Sequence, residues 1–368
     1  MVDEEGLALP TTDYDGVADG DERDAGAPTA SPVSYFGTEF DVHGLVRRFN
    51  GDAIVVPSFD PSTTLPDPNA HGFQRGRVWR RAQMDRFIES LLLGFPVPGI
   101  FLVEQPGKKY LVLDGQQRLT TLAGFYADKF RLENVDETLR GLTYSTLGDE
   151  RRRSLDDTFI QSIIIRAPQS VEDYESVYQI FERLNSGGTN LQPHEIRVAL
   201  YSGSFAEHIR ELNNDESWRK LFGKRSDRLK DQELILRVLA LFVDSENYYS
   251  PLKTFLNDFL GRHRDGSGLE IKQLDSCFRG AARAILDAVG PRAFRLGTQV
   301  NAAILESVFV GVMEQIARDP DFVREFDVSA AYESLLKDDV YIDAVTKATA
   351  NEESVKARLA AARGAFRR

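Results

Sequence analysis

Leu111-Val112-Leu113-Asp114-Gly115-Gln116-Gln117-Arg118-Leu119-Thr120-Thr121-Leu122 runs from an apolar stretch straight into a helical stripe. The apolar residues Tyr110 to Leu113 read as a strand, and Leu119, Leu122, Ala123 and Tyr126 recur at helical spacing, so the pattern predicts a strand that hands over to a helix at Asp114. At the junction stand a carboxylate placed to cap the helix, a glycine, two amides and a guanidinium. The first turn of a helix exposes unpaired N–H groups at the positive end of the dipole, and together these attract phosphate. Gly115 lets a ligand approach the backbone, Gln116 and Gln117 can donate hydrogen bonds, and Arg118 can grip phosphate oxygens bidentately. The same residues also suit a plain tight turn with an N-cap and a surface arginine.

Outward from this junction the pattern is mixed α/β. Ile100 to Val103 precedes Tyr110 to Leu113 across Gly107-Lys108-Lys109, which predicts a β-hairpin. Before it, Met84, Phe87, Ile88, Leu91 and Leu92 stripe a helix ended by Gly94-Phe95-Pro96. Earlier still, Phe40, Leu45, Val46 and Phe49 suggest a helix from Glu39 to Phe49, then a brief strand from Ala53 to Val56 stopped by Pro57, and an exposed loop from Asp60 to Gly72. Downstream, Phe159 to Ile165 reads as a strand. Tyr174, Val177, Tyr178, Phe181 and Leu184 stripe a helix that halts at Asn185-Ser186-Gly187-Gly188, and the next helix starts near Pro193. Beyond it the patterns are helical, as in Leu234, Leu236, Val238, Leu239 and Phe242, or Ile304, Val308, Val312 and Ile316. The expected fold is α+β, with a mixed α/β front half and an all-α back half.

The chain has 368 residues, 42% apolar and 28% charged, the balance of a globular protein of about two domains. One cysteine, Cys277, excludes an internal disulfide and a cysteine zinc cluster, and the five histidines lie far apart. The absence of a long apolar run and of a basic, then apolar, leader predicts a cytoplasmic protein without a membrane span. The net charge of −12 is unevenly spread: residues 1–35 hold nine acids against Arg23, a net −8 that leaves −4 for the remainder. That opening is rich in Gly, Ala, Thr and Pro, lacks apolar periodicity, and reads as a disordered acidic tail. The expected divisions are a tail over 1–35, a first domain over 36–202 and a helical domain over 203–368.

Two further segments carry candidate chemistry. Phe73-Gln74-Arg75-Gly76-Arg77-Val78-Trp79-Arg80-Arg81 crowds four arginines and a glutamine around an aromatic, which suits phosphate contacts with Trp79 as a stacking surface or a helix-entry anchor; the same stretch also suits a solvated basic loop whose tryptophan packs on the core. In Phe181-Glu182-Arg183-Leu184-Asn185-Ser186-Gly187-Gly188-Thr189, the paired glycines allow positive φ and an anion-binding nest, or simply a helix C-cap. Glu182 is a candidate metal-bridging carboxylate there, and Arg183 and Asn185 are candidate phosphate donors.

Together the three segments, with the downstream Glu195-Ile196-Arg197, resemble the N-terminal domain family of the GmrSD-type modification-dependent restriction enzymes (DUF262), related to ParB and sulfiredoxin. The likeness runs in order from about Leu45 to Tyr201. It implies a ParB-like domain that binds a nucleoside triphosphate with Mg2+ and in several relatives hydrolyses it, within anti-phage defence. Carried onto this chain, Asp114, Gly115, Gln116, Gln117 and Arg118 line the phosphate site, with Asp114, Gln116, Gln117 and Arg118 as its catalytic set. Gln74 and Arg75 approach it, and Glu182, Arg183, Asn185, Gly187, Gly188 and Thr189 close it. The magnesium carboxylate is Asp114 or Glu182.

Two departures stand out. The residues Asp60 to Gly72 separate Val56-Pro57 from Phe73-Gln74-Arg75, whereas the family keeps the proline just ahead of the Gln-Arg pair. The family's restriction enzymes also carry a C-terminal nuclease with a histidine-and-asparagine metal site, and after Tyr201 the only histidines are His208 and His263, neither in such a motif. The expectation is therefore a slow nucleoside triphosphatase that works with DNA or a separate effector nuclease and does not cut DNA alone. The alternative is a non-catalytic nucleotide or nucleic-acid binding module regulating such an effector. Oligomerisation is left open.

Overall fold

A computed structural model describes residues 17–18, 32–57, 79–184 and 191–367. The expected acidic tail and the Asp60 to Gly72 loop lie outside these residues, apart from Val17–Ala18 and the stretch from residue 32. The described residues are 58% helical with a small mixed sheet, an α+β fold with many helices. It divides into two compact units, Ala30–Leu200 and a second comprising Tyr201–Arg368 with strand β1 (Val17–Ala18).

In the Ala30–Leu200 unit the elements run β2 (Tyr35–Asp41), α1 (Val42–Asn50), β3 (Ile54–Val55), α2 (Arg81–Leu92), β4 (Ile100–Gln105), β5 (Lys109–Asp114), α3 (Gln116–Tyr126), α4 (Asp149–Asp156), β6 (Phe159–Ile165), α5 (Val171–Leu184) and α6 (Pro193–Leu200). The sheet order is β2-β6-β4-β5-β3, with β2/β6 and β4/β5 antiparallel and β6/β4 and β5/β3 parallel. The expected hairpin forms, with Phe101 opposite Asp114 and Gln105 opposite Lys109. β5 is covered on both faces. Val112 joins the core of Val42, Leu45, Phe49, Ile88, Leu119 and Phe125, while α5 packs against the strand. That explains an uninterrupted apolar run where a one-faced strand would alternate.

The helix expected over Glu39 to Phe49 is corrected: Tyr35–Asp41 is a strand and the helix starts at Val42. Among the described residues strand β2 pairs only with β6, and its burial alternates, with Phe36 and Phe40 half-buried, so its apolar signal is thin. The handover is made by Asp41, whose Oδ1 accepts from the Gly44 N–H at 2.6 Å. A Cβ on Gly44 would lie 2.6 Å from Asp41 Oδ2, so the glycine is what lets the cap close.

The second unit is helical: α7 (Ser204–Leu212), α8 (Glu216–Phe222), α9 (Lys230–Asp244), α10 (Leu252–Arg262), α11 (Ile271–Val289), α12 (Ala302–Arg318), α13 (Phe322–Glu325), α14 (Val328–Leu335), α15 (Asp339–Thr346) and α16 (Glu352–Ala365). β7 (Val300–Asn301) pairs in parallel with β1. Helix α12 is buried almost all round and packs on α9, α11 and α16, the mark of a central helix. Its one buried carboxylate, Glu306, accepts from Arg237 Nη1 of α9 at 3.3 Å and from Arg358 Nη2 of α16 at 2.7 Å. Arg237 also bonds Glu233, so a chain of charges with little water around it threads three helices.

Candidate functional site

Strand β5 ends at Asp114, Gly115 turns the chain at φ +96°, and α3 begins at Gln116. The expectation that Asp114 caps the helix is corrected. Gly115 occupies the N-cap position and no side chain caps the first turn. The turn instead carries Asp114 towards the side chain one helical turn on, where its Oδ2 accepts from Arg118 Nη2 at 2.8 Å. The first-turn amides of α3 are therefore left without a side-chain oxygen, the arrangement that favours an anion.

Gly115 is required here twice over. Its φ lies where L side chains rarely go, and a Cβ on it would stand 2.5 Å from Ile100 Cγ2 and 3.3 Å from Arg118 Nη2. Arg118 is held from both sides: its Nη2 also donates to the Gly99 carbonyl at 2.8 Å, and its side chain is 12% exposed. Its Nε is buried and has no hydrogen-bond partner among the described residues. A guanidinium so fixed presents its remaining donors without paying further side-chain entropy on binding.

Gln117 Oε1 accepts from the Trp79 N–H at 3.0 Å, tying the residues just ahead of α2 to the first turn of α3. The Trp79 indole stands edge-on to Phe87, centroids 5.3 Å apart and planes at 69°. Thus Trp79 anchors the entry to α2, one of its two expected roles, and it also walls the site. Among the described residues, Trp79, Leu113, Asp114, Gly115, Gln116, Gln117 and Arg118 line an open cavity of about 130 Å³.

The structure therefore brings together the five residues of the Asp114 to Arg118 run. Glu182 and Arg183 sit on the last turn of α5, Glu182 half-buried and Arg183 exposed, and neither lines this cavity. Gln74, Arg75, Asn185, Gly187, Gly188 and Thr189 lie outside the described residues. Sequence reading missed the Gly99 carbonyl, which no side-chain pattern marks, and the polar interior of α5 and α6. There His194, Glu195, Arg197, Glu175 and Gln179 are all buried; Arg197 Nη1 lies 3.3 Å from His194 Nδ1, and Glu195 Oε2 accepts from the Gln192 N–H at 2.7 Å. The Glu195-Ile196-Arg197 spacing was the one available signal. Among the described residues no three of His, Cys, Asp and Glu gather as a metal-holding group, and no helix is long and apolar enough to cross a membrane.

A strand-to-helix turn with an uncapped helix start, a fixed arginine and a small cavity thus meet in one α+β unit. Residues 63–202 match the family model of the GmrSD restriction endonuclease, N-terminal domain, which supports that family for this segment. No curated protein and no solved structure matches the chain.

Proposed function

We propose that the Ala30–Leu200 unit binds a nucleoside triphosphate through the Asp114 to Arg118 turn and hydrolyses it slowly, in a restriction-type anti-phage system that acts with DNA and a separate effector nuclease. The family of residues 63–202 supports the system. The observation that carries the nucleotide is Arg118, fixed beside the uncapped first turn of α3 on a cavity that also holds two glutamines. In this reading the amides of α3 and Arg118 hold phosphate oxygens, Gln116 and Gln117 orient them, and the Trp79 indole offers a wall for the base. Magnesium fits the donor set: the ion takes one or two carboxylates, completes its shell with phosphate oxygens and water, and neutralises phosphate charge when bound. Asp114, 43% exposed at the cavity, would hold it; Glu182, the other carboxylate expected in this role, does not line the cavity.

The second reading, a binding module without turnover, is favoured by one observation. The carboxylate that lines the cavity, Asp114, has one oxygen already engaged by Arg118, which leaves it less free to orient an attacking water. Titration calorimetry with Mg·ATP, Mg·GTP and inorganic tripolyphosphate, alongside a phosphate-release assay, separates these readings. Arg118→Ala is expected to weaken triphosphate binding by about tenfold or more, the effect of removing a charge-assisted hydrogen bond. Binding without phosphate release selects the module. Absence of binding to all three ligands, with and without DNA, overturns the proposal.

A further inference from the structure

A guanidinium carries five N–H donors in a planar fork, and a two-point contact with a phosphate uses either its Nε/Nη2 edge or its Nη1/Nη2 edge. Nη2 belongs to both. In Arg118 the two hydrogens of Nη2 are already spent, one on Asp114 Oδ2 and one on the Gly99 carbonyl, each at 2.8 Å. As it stands, the residue can offer an incoming oxyanion single contacts but no two-point grip.

The two partners of Nη2 are unlike. Gly99 contributes backbone, one residue ahead of β4, and it lies so close to β6 that a Cβ on it would stand 2.7 Å from the Gln161 carbonyl oxygen. That bond is fixed by the sheet. Asp114 contributes a side chain, 43% exposed against 12% for Arg118, with the open cavity beside it. Of the two bonds, the one to Asp114 is therefore the one that can be exchanged. Its loss leaves Arg118 anchored by Gly99, returns one Nη2 hydrogen, and unmasks the guanidinium charge next to the uncapped first turn of α3.

We infer that the Asp114–Arg118 pair is a latch on this site. Closed, it hides the charge of Arg118 and its two-point edge; open, with Asp114 holding a divalent cation in place of Arg118, it lets Arg118 clamp two oxygens of one phosphate. The exchange leaves no charge stranded, because the carboxylate trades one cation for another while the arginine takes an anion in return. Two consequences follow. Metal and phosphate must each tighten the binding of the other by the same factor. The closed pair also lowers the affinity of the metal-free protein for an oxyanion, since a site open in a fraction of molecules binds in proportion to that fraction. The inference rests on the reading of the Asp114 to Arg118 turn as a phosphate site, and is independent of the nucleoside and of turnover.

The test is titration calorimetry of the full chain with inorganic tripolyphosphate in EDTA, at about 0.3 M salt so that distant charges are largely screened. Asp114→Ala is expected to tighten binding by about fivefold or more, the low end of ordinary coupling. Asp114→Asn, which keeps the shape of the side chain if the alanine variant does not fold, is expected to tighten it by a smaller factor. An Asp114 that merely braces Arg118 predicts the reverse, so weaker or unchanged binding in these variants overturns the inference. In an Arg118→Lys background, which keeps the charge but gives up the fork, Asp114→Ala is expected to gain clearly less. Equal gains in the two backgrounds would come from plain charge repulsion and overturn the clamp. Replacing EDTA by Mg2+ is expected to tighten tripolyphosphate on wild type and not on Asp114→Ala; an equal response in both overturns the exchange. The nucleotide reading is judged apart from this. If Asp114→Ala gains on tripolyphosphate while wild type refuses Mg·ATP and Mg·GTP, the latch stands and that reading fails; if wild type binds either nucleotide and the Asp114 variants gain nothing, the latch alone fails.

Discussion

Gly115 and Arg118 show how much of the site a single residue type can disclose. An Asp-Gly pair at the end of an apolar run marks a turn that needs positive φ, and an arginine three residues later falls on the same helical turn, so both are readable from the chain alone. What Arg118 holds is not. The Gly99 carbonyl lies 19 residues away and is brought into place by β4 pairing with β5. Nor is the displacement of Asp114 from its expected cap, which follows from the angle at which Gly115 turns the chain. Gly115→Ala is expected to lower stability by about 1–3 kcal/mol through its backbone conformation, with the clash against Ile100 adding to it. Urea denaturation measures the loss, and a midpoint unchanged from wild type contradicts the strained turn.

Elements are legible where their apolar pattern is strong and two-sided. The β4/β5 hairpin, α3, β6 and α5 follow the expected order, whereas the end of β2, from Glu39, reads as helix because its inward residues are only half-buried and the cap lies in Asp41. Packing between elements has no local signature at all. Tyr126 of α3 and Tyr144 of a short 3-10 turn (Tyr144–Thr146) stack with centroids 4.0 Å apart, and both hydroxyls donate to Asp156 of α4. Burial first, then the Asp156 carboxylate, pushes the Tyr144 phenol up to about 12 and raises that of Tyr126 as well. In the unfolded chain both ionise near the ordinary value of 10.0. The unfolded state thus loses protons first, and the cluster's contribution, complete below pH 10, fades as pH rises towards 12. The double variant Tyr126→Phe/Tyr144→Phe is expected to lose less stability than wild type between about pH 9 and pH 11.5, as followed by urea midpoints. An identical alkaline decline in both proteins refutes the assignment.

At the scale of the molecule, the front-to-back change from mixed α/β to all-helical is visible in the spacing of apolar residues. The ionic chain inside the helical unit is not, since charged residues in a helical stripe read as its solvated face. Arg358, an arginine in an alanine-rich helix, is 1% exposed because Glu306 meets it where α12 packs on α16. Glu306→Gln leaves Arg237 and Arg358 buried without their shared counter-charge, and is expected to cost about 3–5 kcal/mol. A melting temperature within a degree or two of wild type argues against that. The two tryptophans have a practical consequence of their own. Trp79 borders the cavity of one unit, half-buried, while Trp218 is fully enclosed in the other and donates its indole N–H to Asn213 Oδ1 at 2.8 Å. Each unit thus carries its own intrinsic fluorophore, one at a wet edge and one in a dry interior, so emission spectra distinguish events in the front unit from melting of the back one without any added label.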